Sequence, residues 1–191
     1  TTANLSLYAF QYKYDNRNRC IWKKLPGAEY ISYEYNDADQ LTFSQDGVQR
    51  ANGKWTFYVY DKFGRLTQQG VNTSKAVIAS GVYLQNYYDD YSYMGTTYFP
   101  SSGYNPEGAA AYSKGMLTGK VVSVFGSDKK IATMYHYDIR GRLTKTTENN
   151  LMDGYNKTVT TYTFTDQPAT VTLTHTANGK LTQTEVYTYT Y

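Results

Sequence analysis

The sequence has one cysteine, Cys20, so no intrachain disulfide can form, and neither a thiolate zinc cluster nor a redox pair is available. Charge of one sign is concentrated nowhere: 19 Lys and Arg against 16 Asp and Glu leave a net +3, without a block of like charge. Nucleic acid and anionic membranes are met by concentrated basic faces, so neither is expected as a partner. No window approaches the roughly 18 apolar residues of a membrane-spanning helix. The start, Thr1-Thr2, carries no charged-then-apolar leader. Histidine is scarce. His136 and His175 each lie in strand-like patterns flanked by Tyr or Thr, with no serine nucleophile motif and no fixed carboxylate spacing beside them. The acidic clusters Asp37/Asp39 and Asp89/Asp90 lack the spaced oxygen ligands of a calcium loop. These absences predict a protein that is not an enzyme and holds neither metal nor cofactor.

What is abundant is tyrosine. There are 23 in 191 residues, most of an aromatic content of 17%, and threonine is about as common. Both residues suit a half-buried pleated surface, which points to an all-β fold. The length suits one domain with a core of its own, burying roughly 70% of the surface of the unfolded chain.

One phrase occurs four times: Tyr12-Lys13-Tyr14-Asp15 leading to Asn18-Arg19, Tyr33-Glu34-Tyr35-Asn36 leading to Asp39-Gln40, Tyr58-Val59-Tyr60-Asp61 leading to Gly64-Arg65, and Tyr135-His136-Tyr137-Asp138 leading to Gly141-Arg142. The consensus is Y-x-Y-D-x-x-G-R-L-T. Tyrosine at every second residue makes one face of an incoming strand. Asp15, Asn36, Asp61 and Asp138 open a turn by accepting backbone hydrogen bonds, and Asn18, Asp39, Gly64 and Gly141 are residues that tolerate the positive φ of a type I turn closed by a G1 bulge. A fifth copy can be aligned on Gly179, with Leu173 and His175 in the tyrosine places. Second turns fall at Pro26-Gly27, Asp46-Gly47, Asn52-Gly53 and Asp153-Gly154, so the chain reverses about every ten residues. The predicted architecture is a long antiparallel sheet of consecutive β-hairpins.

The last interval, from Tyr58 to Tyr135, is about three ordinary repeats long, so residues 70–134 read as a divergent insert in a single domain spanning 1–191. Within it Asn105, Pro106, Ala109 to Ala111 and Gly115 have the order of helix cap, first turn, interior and stop. Gly119 to Gly126 bounds a buried strand.

The Y-x-Y-D-x-x-G-R-L-T copies resemble the YD repeats of the RHS family of large surface or secreted proteins. The likeness is good over 12–67 and 135–144, partial over 171–191 and slight over 70–134. It implies an open segment of an RHS-type β-shell, a structural scaffold in the wall of a larger extracellular or cell-surface protein, whose partner is the remainder of the parent repeat chain. Family members that cleave themselves use a D-P-x-G type motif; there is no Asp-Pro here, so neither cleavage nor cargo carries over. The missing initiator methionine and the ending in Tyr187, Tyr189 and Tyr191 lead to the expectation of a piece of a longer chain, able to self-associate through cut sheet edges at 184–191.

A second reading is a carbohydrate- or protein-binding module. Tyrosine rings can stack on the apolar face of a sugar, and Tyr83, Tyr87, Tyr88, Tyr91, Tyr93, Tyr98 and Tyr104 of the insert lie outside the repeat's structural explanation. Any glycan or protein ligand is expected there.

Overall fold

The computed structural model describes residues 2–104 and 112–191. Thirteen strands follow one another in a single antiparallel sheet in the order of the chain, so the fold is all-β, built of consecutive hairpins, with β1 and β13 at its edges. The strands are β1 Gln11–Tyr14, β2 Cys20–Lys24, β3 Ile31–Tyr35, β4 Leu41–Gln45, β5 Trp55–Tyr60, β6 Leu66–Asn72, β7 Val82–Tyr88, β8 Leu117–Ser123, β9 Lys130–Tyr137, β10 Leu143–Asn149, β11 Tyr155–Tyr162, β12 Pro168–His175 and β13 Gln183–Thr188. The chain forms two compact units, Thr1–Tyr83 and Leu84–Tyr191.

The four copies close in one way. In the first, Asp15 N donates to Arg19 O at 3.0 Å and Asn18 N to Asp15 O at 3.1 Å. The Asp15 carboxylate accepts from the amides of Arg17 and Arg19, both at 2.9 Å, and from Arg19 Nε at 2.7 Å. Asp61 with Arg65 and Asp138 with Arg142 repeat this set. In the second copy the amide pair Asn36 and Gln40 substitutes at 2.8 Å for the ion pair, so geometry is kept without charge. Asn18, Asp39, Gly64 and Gly141 all have positive φ, between 59° and 81°, where a side chain without local polar bonding is strained.

Each hairpin also pairs the second tyrosine with the residue two beyond the positive-φ position, across a bulge. The pairs are Tyr14 with Cys20, Tyr35 with Leu41, Tyr60 with Leu66 and Tyr137 with Leu143. Two hairpins not read as copies show the same pair: Tyr162 with Pro168, and Tyr88 with Leu117. In the first of these, Thr163 N donates to Gln167 O at 2.8 Å, Asp166 N to Thr163 O at 3.2 Å, and Asp166 has φ +65°. The repeat turn of this region is therefore 163–167. Gly179 also has positive φ, but in another turn, with Lys180 N donating to Ala177 O, and Leu173 and His175 lie on β12 rather than in tyrosine places. Tyr162 is the second tyrosine of this copy, Thr163 stands in the aspartate place, and Pro168 begins the returning strand.

The pair Tyr88 with Leu117 corrects the limits of the insert. Asp89 N donates to Met116 O at 3.1 Å, as Asp15 does to Arg19, and Gly115 has φ +81°. Asp89 and Gly115-Met116-Leu117-Thr118 are thus the two halves of one Y-D…G-x-L-T copy. Residues 90–114 stand where the other copies place two residues. Outside that stretch, β7, β8 and β9 are regular strands, with β8 in the place of the expected buried strand, and a 3₁₀ turn at Ala79–Gly81 leads into β7. Of the predicted helix, 105–111 lie outside the described residues, and Gly115 is a turn residue.

In the first unit, the segment read as two turns at 46–53 contains a short helix, α2 Gly47–Ala51, after an N-terminal helix α1, Thr2–Tyr8. Asp46 caps α2 by accepting from Gln49 N at 2.7 Å, while Gln49 Oε1 accepts from Asp46 N at 3.0 Å. This reciprocal box satisfies amides that a helix start leaves unpaired. Phe57 on β5 is wholly buried opposite Gly70 on β6. A Cβ at 70 would lie 2.2 Å from its ring, so the glycine makes room for the phenylalanine.

The second unit has the larger core. Ala132, Met134 and His136 alternate as the buried residues of β9, and Val121 of β8 is buried beside them. Tyr91, Tyr93, Phe99 and Tyr104, from the segment between β7 and β8, cover that face.

Candidate functional site

Two features could carry function: the row of turns, built from the repeat residues, and the tyrosine-rich cap formed by the segment between β7 and β8. Neighbouring turns clasp each other. Arg17 Nη1 and Arg19 Nη1 donate to Asp39 Oδ1 at 2.8 and 2.7 Å, and Arg140 Nη1 and Arg142 Nη1 donate to Asp166 Oδ1 at 2.8 and 2.6 Å. The arginines also reach backbone carbonyls of the next turn at Asn36, Asp37 and Phe164. Asp39 and Asp166 thus hold the left-handed position of their repeat turns where two guanidinium groups of the preceding turn converge.

Tyrosine hydroxyls make a second set of ties. Tyr35 donates to Cys20 O at 2.9 Å, Tyr137 to Leu117 O at 2.8 Å, Tyr162 to Leu143 O at 2.8 Å and Tyr191 to Pro168 O at 3.1 Å. In all four bonds the acceptor is the residue two beyond the left-handed position of the preceding turn. The guanidinium of that turn lies over the same ring in two cases, Arg19 on Tyr35 at 5.0 Å and Arg142 on Tyr162 at 4.7 Å. The arginine amide first, then its side chain, holds the Asp15 carboxyl below its usual range. At Asp61 and Asp138 burial works upward, but the donors of Arg65 and Arg142 outweigh it and the net shift is downward. All of this serves cohesion between repeats.

The cap differs from the expected row of open rings. Tyr91, Tyr93 and Tyr104 are buried, and their hydroxyls donate to Tyr135 O at 2.7 Å, Thr118 O at 2.6 Å and Ala132 O at 2.6 Å. Tyr104 Oη also accepts from Asn149 N at 3.0 Å. Burial pushes the Tyr91 phenol up to about 12, and those of Tyr93 and Tyr104 up as well. The Tyr93 ring meets Tyr87 and Phe99 tilted, at 4.4 and 4.5 Å between centroids, and the Tyr104 ring meets Phe99 edge-on at 5.1 Å. These three are core residues and offer no stacking face to a ligand, because the polar end of tyrosine lets a buried ring satisfy strand carbonyls from above. Tyr83, Tyr87 and Tyr88 are half-buried strand residues, and Tyr98 is exposed at 40%. Asp89 and Asp90 build the loop, Asp89 accepting from Gly115 N at 2.7 Å and Asp90 from Ser92 N at 2.9 Å.

The histidines part ways. His136 is buried against the Tyr91 ring, with its Nε2 unpartnered among the described residues, as is the Oγ1 of buried Thr147. Burial, then the nearby Lys145 ammonium, pushes the imidazole down to about 4. His175 Nδ1 lies 2.6 Å from Asn156 Oδ1 at a shallow cavity of about 260 Å³ that Glu185 also lines. Among the described residues no three His, Cys, Asp or Glu side chains gather as metal ligands, and no helix is long and apolar enough to cross a membrane.

No family model and no curated protein matches the sequence. Among solved structures, a chain of the Photorhabdus luminescens Tc holotoxin pore matches over 100% of this chain and 10% of its own length, at 13% identity and a TM-score of 0.45. Chains of the TcdB2-TccC3 and TcdB2-TccC3-TEV crystal structures match over the same 100% at 12% identity, with TM-scores of 0.44 and 0.46. This chain spans about a tenth of the length of the pore-complex and TcdB2-TccC3 chains.

Proposed function

We propose that the chain is a non-catalytic β-scaffold, a stretch of the wall of a larger surface or secreted YD-repeat protein, and that its partner is the rest of the parent repeat chain. The observation that carries this reading is the invariant pairing of the second tyrosine with the residue two beyond the left-handed position in six hairpins. Four tyrosine hydroxyls tie a repeat to its predecessor, and at two junctions guanidinium groups join successive turns, which supports a modular wall. An enzyme concentrates its unusual residues at one place, whereas here the special residues recur once per repeat.

Insertion of a second copy of residues 138–162 directly after Tyr162 tests the reading, because it adds one whole period. A modular scaffold keeps a β-type circular dichroism spectrum and a single cooperative melt at an equal or higher temperature. Loss of the fold on insertion would refute it. The second reading, a binding module on the tyrosine-rich segment, is favoured by one observation, the exposed ring of Tyr98.

A further inference from the structure

The buried tyrosines of the cap, Tyr91, Tyr93 and Tyr104, give their hydroxyl protons to carbonyls of the strands beneath them. Asn149 beneath them accepts from Ala132 N at 2.6 Å and donates to Lys130 O at 2.9 Å. Several polar side chains nearby have no hydrogen-bond or ion-pair partner among the described residues, and five of them are gathered at one place: the hydroxyls of Thr97, Tyr98 and Tyr155, the Asp128 carboxylate and the Lys130 ammonium. All five line one cavity of about 210 Å³, with Tyr104 and Asn149 also in its wall.

The walls are held from behind. Lys130 Nζ lies 4.9 Å from the centroid of the Tyr98 ring, a cation–π contact that positions both without using a hydrogen bond. Tyr155 meets Tyr104 edge-on at 5.5 Å. It also packs so closely on Gly103 that a Cβ there would fall 2.0 Å from the phenol. The aromatic surface is therefore fixed before any ligand arrives, which lowers the ordering cost of binding.

We propose that this cavity is a subsite for one neutral pyranose ring. The volume suits a single sugar ring. The Tyr98 and Tyr155 rings offer an apolar wall for its C–H face, while three hydroxyls, a carboxylate and an ammonium offer donors and acceptors to neighbouring sugar hydroxyls. A small anion is disfavoured by Asp128 and a cation by Lys130. A zwitterion matches both charges, but they are solvent-facing, where such pairs contribute little, and it leaves the aromatic wall and the hydroxyls without a role. The inference rests on the binding-module reading of the segment and is independent of the scaffold reading.

Titration of the chain with methyl α-D-glucopyranoside, methyl β-D-galactopyranoside and N-acetyl-D-glucosamine, each to about 50 mM, followed by amide NMR shifts, tests it, since a single open subsite binds in the millimolar range. At least one sugar is expected to shift residues 97–98, 128, 130 and 155 in a saturable way, and Tyr98→Ala or Asp128→Asn to weaken that binding about tenfold or more, without moving the melting temperature. Shifts confined to other parts of 83–104 would overturn this subsite and leave the binding-module reading standing. No shift with any of the three sugars would overturn both. Glycine producing the cavity shifts when the sugars do not, or sugar binding unchanged in both variants, would also overturn the proposal.

Discussion

Arg142 of one turn donates from Nη1 to Oδ1 of Asp166 in the next at 2.6 Å, and Arg19 stands to Asp39 in the same relation at 2.7 Å. The two bonds occur at opposite ends of the chain, so the turn-to-turn clasp is a property of the repeat. The Asp166 side chain is 57% exposed, which moderates its worth. Replacing Asp166 with Asn keeps a residue tolerant of φ +65° and removes the charge. The variant is expected to unfold at a lower urea concentration in dilute buffer, with a smaller difference in 1 M salt, where the Debye length is about 3 Å. Asp166→Ala should cost more, because backbone strain is added. Urea unfolding at two salt concentrations separates the contributions; salt-independent losses would mean that the clasp contributes no charge attraction.

Gly64 has φ +81°. Gly64→Val should destabilise by roughly 1 kcal/mol or more, and Gly64→Asn by less, since Asn18 holds the same place at φ +59°. Equal melting points for the two variants would show that the left-handed turn is not what glycine serves here.

The cap predicts a graded series of tyrosine-to-phenylalanine changes. Tyr93→Phe removes one buried bond, to Thr118 O, and should cost about 1 kcal/mol. Tyr104→Phe also orphans the Asn149 amide and should cost about 1–3 kcal/mol. Tyr98→Phe should change stability little, since its hydroxyl is at the surface. A differential scanning series in which Tyr98→Phe cost as much as Tyr104→Phe would contradict the burial pattern.

His136 should make the second unit acid-sensitive. On the buried face it stacks on the Tyr91 ring and lies opposite Lys145, whose ammonium repels an imidazolium that burial already disfavours. With the folded imidazole near pKa 4 and the unfolded near 6.5, the unfolded state alone takes up a proton between those values. Stability is thus full above pH ~6.5, falls as the pH drops, and levels off below pH ~4, a loss on the order of 2–3 kcal/mol. His136→Gln should flatten unfolding free energies measured from pH 7 to 4. The Asp15, Asp61 and Asp138 shifts act at lower pH, their stabilisation fading as those carboxylates protonate.

Among the described residues strand β13 pairs only with β12, and its Val186 and Tyr187 are 61% and 46% exposed. Such an edge is a template for another strand. Concentration-dependent association through 184–191 is expected by light scattering, and Val186→Lys should reduce it; a wild-type monomer at high concentration would remove the idea.

Local chemistry was legible in the sequence because a turn is decided by neighbours. Asp15, Asp61 and Asp138 sit three residues before their left-handed partners, and the hydrogen bonds that need them close within five residues, so type and spacing alone dictate the hairpin. The split copy escaped for the same reason: Asp89 and Gly115 are neighbours only in space, and Met116 in the arginine place removed the remaining signal. Thr163, with a hydroxyl in place of the carboxylate, hid the 163–167 copy behind the more conspicuous Gly179. The sequence could not say which way the insert's tyrosines face, since a tyrosine serves equally as an open ring or as a buried ring with a bonded hydroxyl. Packing of residues 91–104 on Val121, Ala132 and Met134 decided it, placing the carbonyls of Thr118, Ala132 and Tyr135 within reach of three phenols while leaving Tyr98 at the surface.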